Sequence, residues 1–271
     1  MTLIVPESWR RHWRGRDIFE CILSLQGEEY RNMDGRRTLR FELLGGSYFA
    51  KLYRGIGWRR ILRSLLTLRQ PPVLGAGNEY RAIQRLHELD IATMTVVAFG
   101  ERGRSPARRQ SFLVTEELRG CVSLEDFCRP WRETAPPPAL KRALIAYLAR
   151  VSRQLHSNGI NHRDYYLCHF LLKVGNDGAD LDSTTLTAYL IDLHRVQFHK
   201  RLPLRWRVKD LASLYFSAME IGLTQRDYYR FIRIYCDCPL RQALGQQRLW
   251  RRVSCRGDYL LRRFYRKYAH E

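Results

Sequence analysis

Asn158-Gly159-Ile160-Asn161-His162-Arg163-Asp164 closes one pattern and opens another. Upstream, Leu140, Leu144, Tyr147, Leu148, Val151 and Leu155 recur at helical spacing, so an amphipathic helix is predicted over Leu140 to His156. Pro136-Pro137-Pro138 precedes it, and Asn158-Gly159 ends it. Downstream, short strands are expected around Leu171-Leu172 and over Tyr189 to Ile191, joined by a polar loop from Gly175 to Thr185. His162-Arg163-Asp164 therefore sits on a loop between a long helix and a short strand. Asp192 ends the second strand, in Leu190-Ile191-Asp192-Leu193.

The region before this helix reads differently. Ile18 to Leu25, Arg37 to Leu44, Ser47 to Tyr53, Ile91 to Phe99 and Ser111 to Glu116 have strand patterns, with a hairpin turn at Gly45-Gly46 and a charged turn from Gly100 to Gln110. Lys51, on the second strand of that hairpin, is the single Lys of the first 140 residues. Arg54 to Arg69 has helical periodicity and ends at Pro71-Pro72, and Asn78 is placed to cap a helix from Glu79 to about Leu89. The remainder, from Val208, reads as helices. The division is thus a β-rich part, 1–118, with a basic segment at 54–72, and a mainly helical part, 119–271, with an α+β fold class.

The chain has 271 residues, 47 Lys or Arg against 27 Asp or Glu, and a net charge of +20. With 45% apolar residues it can bury a core, and no apolar run reaches the length of a bilayer span. Met1 to Arg16 lacks the apolar stretch of a secretory signal. Seven Cys with no C-x-x-C pair suit reduced thiols in the cytoplasm. So high a charge attracts nucleic acid, an anionic membrane face or an acidic substrate, and does not choose among them.

Strand Lys51, helix Glu79, loop Asp164 and strand-end Asp192 follow one another in an order that resembles the protein-kinase fold, a small β-rich lobe and a larger helical lobe. Each residue alone has an ordinary reading: a solvated strand Lys, a carboxylate in a helix's first turn, a turn-capping Asp. Tyr48-Phe49-Ala50-Lys51-Leu52, Arg54-Gly55-Ile56-Gly57-Trp58, Val114-Thr115-Glu116-Glu117-Leu118, Cys168-His169-Phe170-Leu171-Leu172 and Ile191-Asp192-Leu193-His194 are similar, as a set, to the lipopolysaccharide core heptose kinases of the WaaP type, from Gram-negative bacteria. That resemblance implies ATP and Mg²⁺ as cofactors and a heptose hydroxyl of a lipid-linked core oligosaccharide as acceptor. Lys51 would pair with the α/β-phosphates and Glu79 would hold Lys51. Asp164 would accept the proton of the acceptor hydroxyl, with Arg163 and His162 beside it as candidate catalytic groups, although His162 reads more readily as a packed, hydrogen-bonded core histidine than as a base. Asp192 would ligate the metal. Glu116 to Leu118 would read the adenine edge through the backbone. Asp210, before Leu211-Ala212-Ser213-Leu214, would brace the catalytic loop or simply open a helix.

The pattern also departs from kinases. The candidate phosphate loop, Asp34-Gly35-Arg36-Arg37-Thr38, has one Gly, so Gly35 with Arg36 or Arg37 would take over cradling. His169 stands where a metal-binding Asn is usual, so it is the candidate second metal ligand beside Asp192, and the change puts a second Mg²⁺ in question. Asp192-Leu193-His194 replaces Asp-Phe-Gly, and no Ala-Pro-Glu follows. Rival readings keep the fold and change the acceptor to protein Tyr, Kdo or an antibiotic. A further rival is an inactive basic protein that binds nucleic acid or an acidic partner.

The charge is localised. Arg241 to Glu271 holds nine cations and two acids, interleaved with Trp250, Tyr259, Phe264 and Tyr268. With Arg10 to Arg16, where Trp9 and Trp13 stand among the Arg, and Arg54 to Arg69, this gives three basic–aromatic segments that favour an anionic glycolipid at a membrane surface over a nucleic-acid groove. The expected location is cytoplasmic, peripheral to the inner face of the inner membrane.

Overall fold

The computed structural model describes residues 1–33, 35–55, 57–59, 63, 75–105, 107–174 and 186–268. The helix expected over Arg54 to Arg69, with the basic segment 54–72, lies largely outside the described residues, as does the loop Gly175 to Thr185 with Asp177, Asp180 and Asp182. The chain forms two compact units. One comprises residues 1–88 and 93–118, the other 89–92 and 119–271. The α+β class and the element order expected from sequence are found, a β-sheet unit followed by a mainly helical one.

The first unit is built on a six-stranded antiparallel sheet in the order β1-β5-β6-β4-β3-β2. Its strands are β1 (Thr2–Ile4), β2 (Glu28–Met33), β3 (Arg36–Leu43), β4 (Gly46–Tyr53), β5 (Val96–Arg102) and β6 (Gln110–Glu116). The β3–β4 turn has positive φ at Leu44 and Gly45, which matches the handedness of a tight hairpin. One face of β3 and β4 presents Leu39, Phe41, Ala50 and Leu52 to α1 (Glu7–His12) and α2 (Ile18–Leu23).

Three expectations change in this unit. Ile18 to Leu25 is not a strand but largely helix α2. Asp17 caps it by accepting from the Phe19 amide at 2.8 Å, and Phe19, Ile22 and Leu23 are buried on one side. A short apolar run carries too few residues to separate the two periods, and Asp17 is the signal that would have decided it. Trp9 and Trp13 are buried in the core, so the N-terminal Arg segment offers no aromatic side chains to a membrane. The charged turn is shorter than expected, because β5 runs on to Arg102 and pairs with β6 through Gln110. A smaller difference concerns Asn78, which lies inside α3 (Gly77–Glu88) rather than capping it.

The second unit is organised by the 20-residue helix α5 (Pro138–Ser157), preceded by α4 (Leu124–Cys128). Helices α6 (Leu204–Ser217), α7 (Gln225–Cys236), α8 (Leu240–Leu244) and α9 (Gln247–Tyr268) follow. Ala149, Val208, Leu211, Ala212, Tyr235, Leu249 and Val253 form their shared core. A cavity of about 570 Å³ opens between these helices, with mostly apolar walls such as Leu144, Leu148, Leu214 and Ile232. Two small antiparallel sheets carry the loops. One has the order β10 (Ala188–Leu190), β9 (Phe170–Lys173), β7 (Cys121–Ser123), and the other pairs β11 (Gln197–Phe198) with β8 (Ile160–Asn161). Gly159, at φ +73°, turns α5 into β8, and a Cβ there would sit 1.9 Å from the His199 carbonyl oxygen. The turn that aims His162-Arg163-Asp164 therefore requires glycine.

Candidate active site

Lys51 lies on β4, and alternation puts it on the sheet face opposite the α1–α2 core. Its Nζ is 2.6 Å from Glu79 Oε1, and Glu79 is fully buried in the first turn of α3. A carboxylate with no exposure needs a cation and a favourable helix end, and it has both. Arg36 pairs with Tyr53 in register, shares the Lys51 face and stacks 5.6 Å from the Tyr53 ring centroid. Gly35, at φ +82°, makes the β2–β3 turn before it.

Arg37 is on the other face of the sheet. Its guanidinium is tied to Glu29 at 2.5 Å and to the Leu25 carbonyl at 2.8 Å. The expectation that Arg37 could cradle phosphate is corrected accordingly, because alternation turns it away from Lys51. At the end of β6, the Glu116 amide donates to Thr95 O at 3.0 Å and the Glu117 amide to Ser47 O at 3.1 Å. Those two donors are committed to the fold, so the expected adenine-reading backbone narrows toward Leu118.

In the second unit, Asp210 on α6 is fully buried and accepts two backbone hydrogen bonds, from His162 N at 2.7 Å and Arg163 N at 2.9 Å. That clamp holds Arg163 at φ +76°, a costly conformation for a side chain with a Cβ. His162 is buried and its Nε2 donates to the Ile191 carbonyl at 2.9 Å. Burial lowers its pKa, so the ring is neutral at pH 7. From there it can brace the loop against the strand before Asp192 but cannot touch an acceptor. The expectation of His162 as a catalytic group is revised to that extent.

Asp164 is partly exposed, and Arg195 Nη1 lies 2.9 and 3.0 Å from its two oxygens. Asp192 adopts a left-handed conformation at φ +61°. His194 Nδ1 is 2.5 Å from Asp192 Oδ1, and His169 Nε2 is 3.7 Å from Asp192 Oδ2. The other nitrogen of His169 donates to the Asp164 carbonyl at 2.6 Å. His169 thus links the backbone of one Asp to the carboxylate of the other. An imidazole is a poor donor for Mg²⁺, so this geometry suits an orienting group better than the metal ligand expected from sequence. Among the described residues there is no group of three or more His, Cys, Asp or Glu that could hold a metal by itself.

A family model described as the lipopolysaccharide kinase (Kdo/WaaP) family matches residues 21–235. The chain belongs to that family. It is 54% identical over 247 residues to the lipopolysaccharide core heptose(I) kinase WaaP of Pseudomonas aeruginosa, covering 91% of each chain. It is 46% identical over 256 residues to the enzyme of that name from Escherichia coli K12, covering 94% of this chain and 95% of that one. A solved structure, WaaP in complex with acyl carrier protein, superposes with a TM-score of 0.82 at 46% identity, over 96% of this chain and 99% of that one.

In this member of the lipopolysaccharide kinase family, three groups around the site escaped the sequence reading: Arg195, Trp206 and Lys209. Nothing distinguishes two basic side chains and a Trp in so basic a chain until the fold brings them to Asp164. Asp210 also extends into a buried network. His156 Nε2 is 3.6 Å from its carboxylate, His156 Nδ1 is 2.8 Å from the Tyr235 hydroxyl, and Arg207 donates to that hydroxyl at 3.1 Å. Asp210→Ala strands two backbone donors and should lower unfolding stability by about 2–6 kcal/mol, at roughly 1–3 kcal/mol each. Urea titration of the variant checks it, and an unchanged midpoint would show that the loop needs no clamp.

Proposed function

We propose that the chain transfers the γ-phosphoryl group of ATP to a heptose hydroxyl in the inner core of lipopolysaccharide, the activity named for its relatives. The observation that carries the reading is the buried Lys51–Glu79 pair, which with Asp164 and Asp192 lies inside the residues that the family model matches. In this reading the acceptor O–H gives its proton to the Asp164 carboxylate. A new O–P bond forms as the bond from the γ-phosphorus to the β,γ-bridging oxygen breaks, and ADP leaves. Lys51 neutralises the α/β-phosphates, and the Leu118 backbone meets the adenine. Mg²⁺, when bound through Asp192, would supply charge neutralisation to the transferring phosphoryl group. His194, hydrogen-bonded to Asp192 at 2.5 Å, holds it in the conformation that presents its oxygens, and His169 lies beside it.

ATP with Mg²⁺ should raise the melting temperature. At about 100 times Kd the gain is roughly 2.7 kcal/mol, or about 5–10 °C for a chain of this size. No shift at saturating ATP–Mg²⁺ would favour the rival of an inactive binding protein.

For the location, no helix among the described residues is long and apolar enough to cross a membrane. Helix α9 instead exposes Tyr259, Phe264 and Tyr265 beside Arg262, Arg263 and Arg266. Aromatic rings with Arg suit the headgroup region of an anionic leaflet. Vesicles with about 30% anionic lipid should bind the protein at low salt and release most of it near 0.5 M salt. Retention unchanged at high salt would remove the electrostatic part. A second partner is supported by the solved relative: we extend its acyl carrier protein to this chain, whose charge of +20 suits an acidic protein. Co-elution of the two proteins at low salt tests that extension, and separate elution would contradict it.

A further inference from the structure

Around Asp164 the second unit concentrates more positive charge than the carboxylate needs. Trp206, near the start of α6, has three cations over its ring: Arg163 at 5.4 Å, Arg205 at 5.3 Å and Lys209 at 5.8 Å from the centroid. Arg195 adds a fourth on the Asp164 side. Among the described residues, two carboxylates oppose them. Asp164 is engaged by Arg195, and Asp210 is fully buried with both oxygens turned to backbone amides. Lys209 and Arg163 both have lowered pKa values, from burial first and then in part from the neighbouring cations. Repulsion of this kind costs free energy in the ligand-free protein.

Two donors are also unused. Arg163 Nε and Arg195 Nη2 are buried without a hydrogen-bond partner among the described residues. A buried guanidinium N–H left unpaired is expensive, and an oxyanion brought to it recovers that cost. Solvated surface Arg side chains would not show buried, unpaired N–H groups or converge on one ring.

We infer that Arg163, Arg205 and Lys209, arranged about Trp206, and Arg195 beside Asp164 form an oxyanion subsite that binds a carboxylate or phosphate group of the acceptor beside the hydroxyl being phosphorylated. The inference rests on the assignment of Asp164 as the residue that meets that hydroxyl. Acceptor rather than nucleotide is favoured because the cluster surrounds Asp164, whereas the residues around Asp192 are His169 and His194. Three of the cations are held over the Trp206 ring and the fourth by Asp164, so they meet the anion already oriented. The subsite would select acidic core glycolipids over neutral heptosides and fix which hydroxyl reaches Asp164.

The test compares wild type with Arg205→Gln and Lys209→Met on two acceptors. One is the native acidic core oligosaccharide, and the other is the same oligosaccharide with its carboxylates amidated and its phosphates removed. Arg205 is exposed, so its variant should fold normally; circular dichroism and thermal melting establish this for both. The expected result is an acceptor KM at least about tenfold higher for each variant on the acidic acceptor, with little change in KM for ATP. On the neutral acceptor the variants and wild type should differ by less than about twofold. A rise in KM for ATP alone would assign the cluster to the nucleotide and overturn the acceptor subsite. Equal losses on both acceptors, or no loss on either, would overturn it too. Failure of the Asp164 reading is separately visible, as transfer that survives in Asp164→Asn.

Discussion

Asp164→Asn lowers turnover by about 10²- to 10⁴-fold, the range that general-base groups contribute, while the chain folds as before. The amide keeps the size of the carboxylate and can still accept from Arg195, whose Nη1 lies 2.9 and 3.0 Å from the two oxygens. It loses the capacity to take the acceptor's proton. The loop backbone is held from below by Asp210, which the substitution does not touch. Steady-state kinetics with unchanged KM for ATP, together with an unchanged melting temperature, would separate lost chemistry from lost structure. Turnover within tenfold of wild type would remove Asp164 from the proton-accepting role.

Lys51→Met is the second large effect, and it acts on both rate and stability. Glu79 is fully buried, and its Oε1 is 2.6 Å from the ammonium. Removing the cation leaves a buried carboxylate that must lose its charge or bear the desolvation penalty. The expected cost is about 3–5 kcal/mol, the range for breaking a buried pair. Glu79→Gln combined with Lys51→Met should recover much of that stability, because no buried charge is then left. It should recover none of the activity, since the phosphates would still lack their cation. Denaturant unfolding of the single and double variants measures the first part and ADP release the second. Full activity in the double variant would show that Lys51 does not meet the nucleotide.

These two predictions rest on residues that were legible before the fold was known, and the reason is chemical. Lys51 stands out as the single Lys in a long Arg-rich stretch, on a strand after a tight turn. His162-Arg163-Asp164 follows directly on a 20-residue helix whose apolar stripe is unmistakable. Long periodic segments report their own structure. Ile18 to Leu25 did not, because six helical residues give too little period to read, and the deciding Asp17 cap is a single side chain. Trp9 and Trp13 looked like membrane anchors among Arg residues, yet they fill the sheet's core. Composition reports which side chains are present and leaves open which way they turn. Arg37 shows the same limit at one-residue resolution, since a step along β3 carries it to the opposite face from Arg36.

The site's supporting groups were hidden for a related reason. Arg195, Trp206 and Lys209 come together with Asp164 only through the packing of α6 against the catalytic loop. Their separations of 31 to 45 residues in sequence carry no local pattern. His194 and His169 acquire meaning only from their distances to Asp192.

The most direct test supplies the purified protein with ATP, Mg²⁺ and dephosphorylated core lipopolysaccharide, and follows the product by phosphorus NMR. The expected result is one new phosphomonoester resonance on a heptose, growing in step with ADP release and absent with Asp164→Asn. ADP release with phosphate appearing only in solution or on tyrosines of the protein itself would contradict phosphoryl transfer to the core sugar.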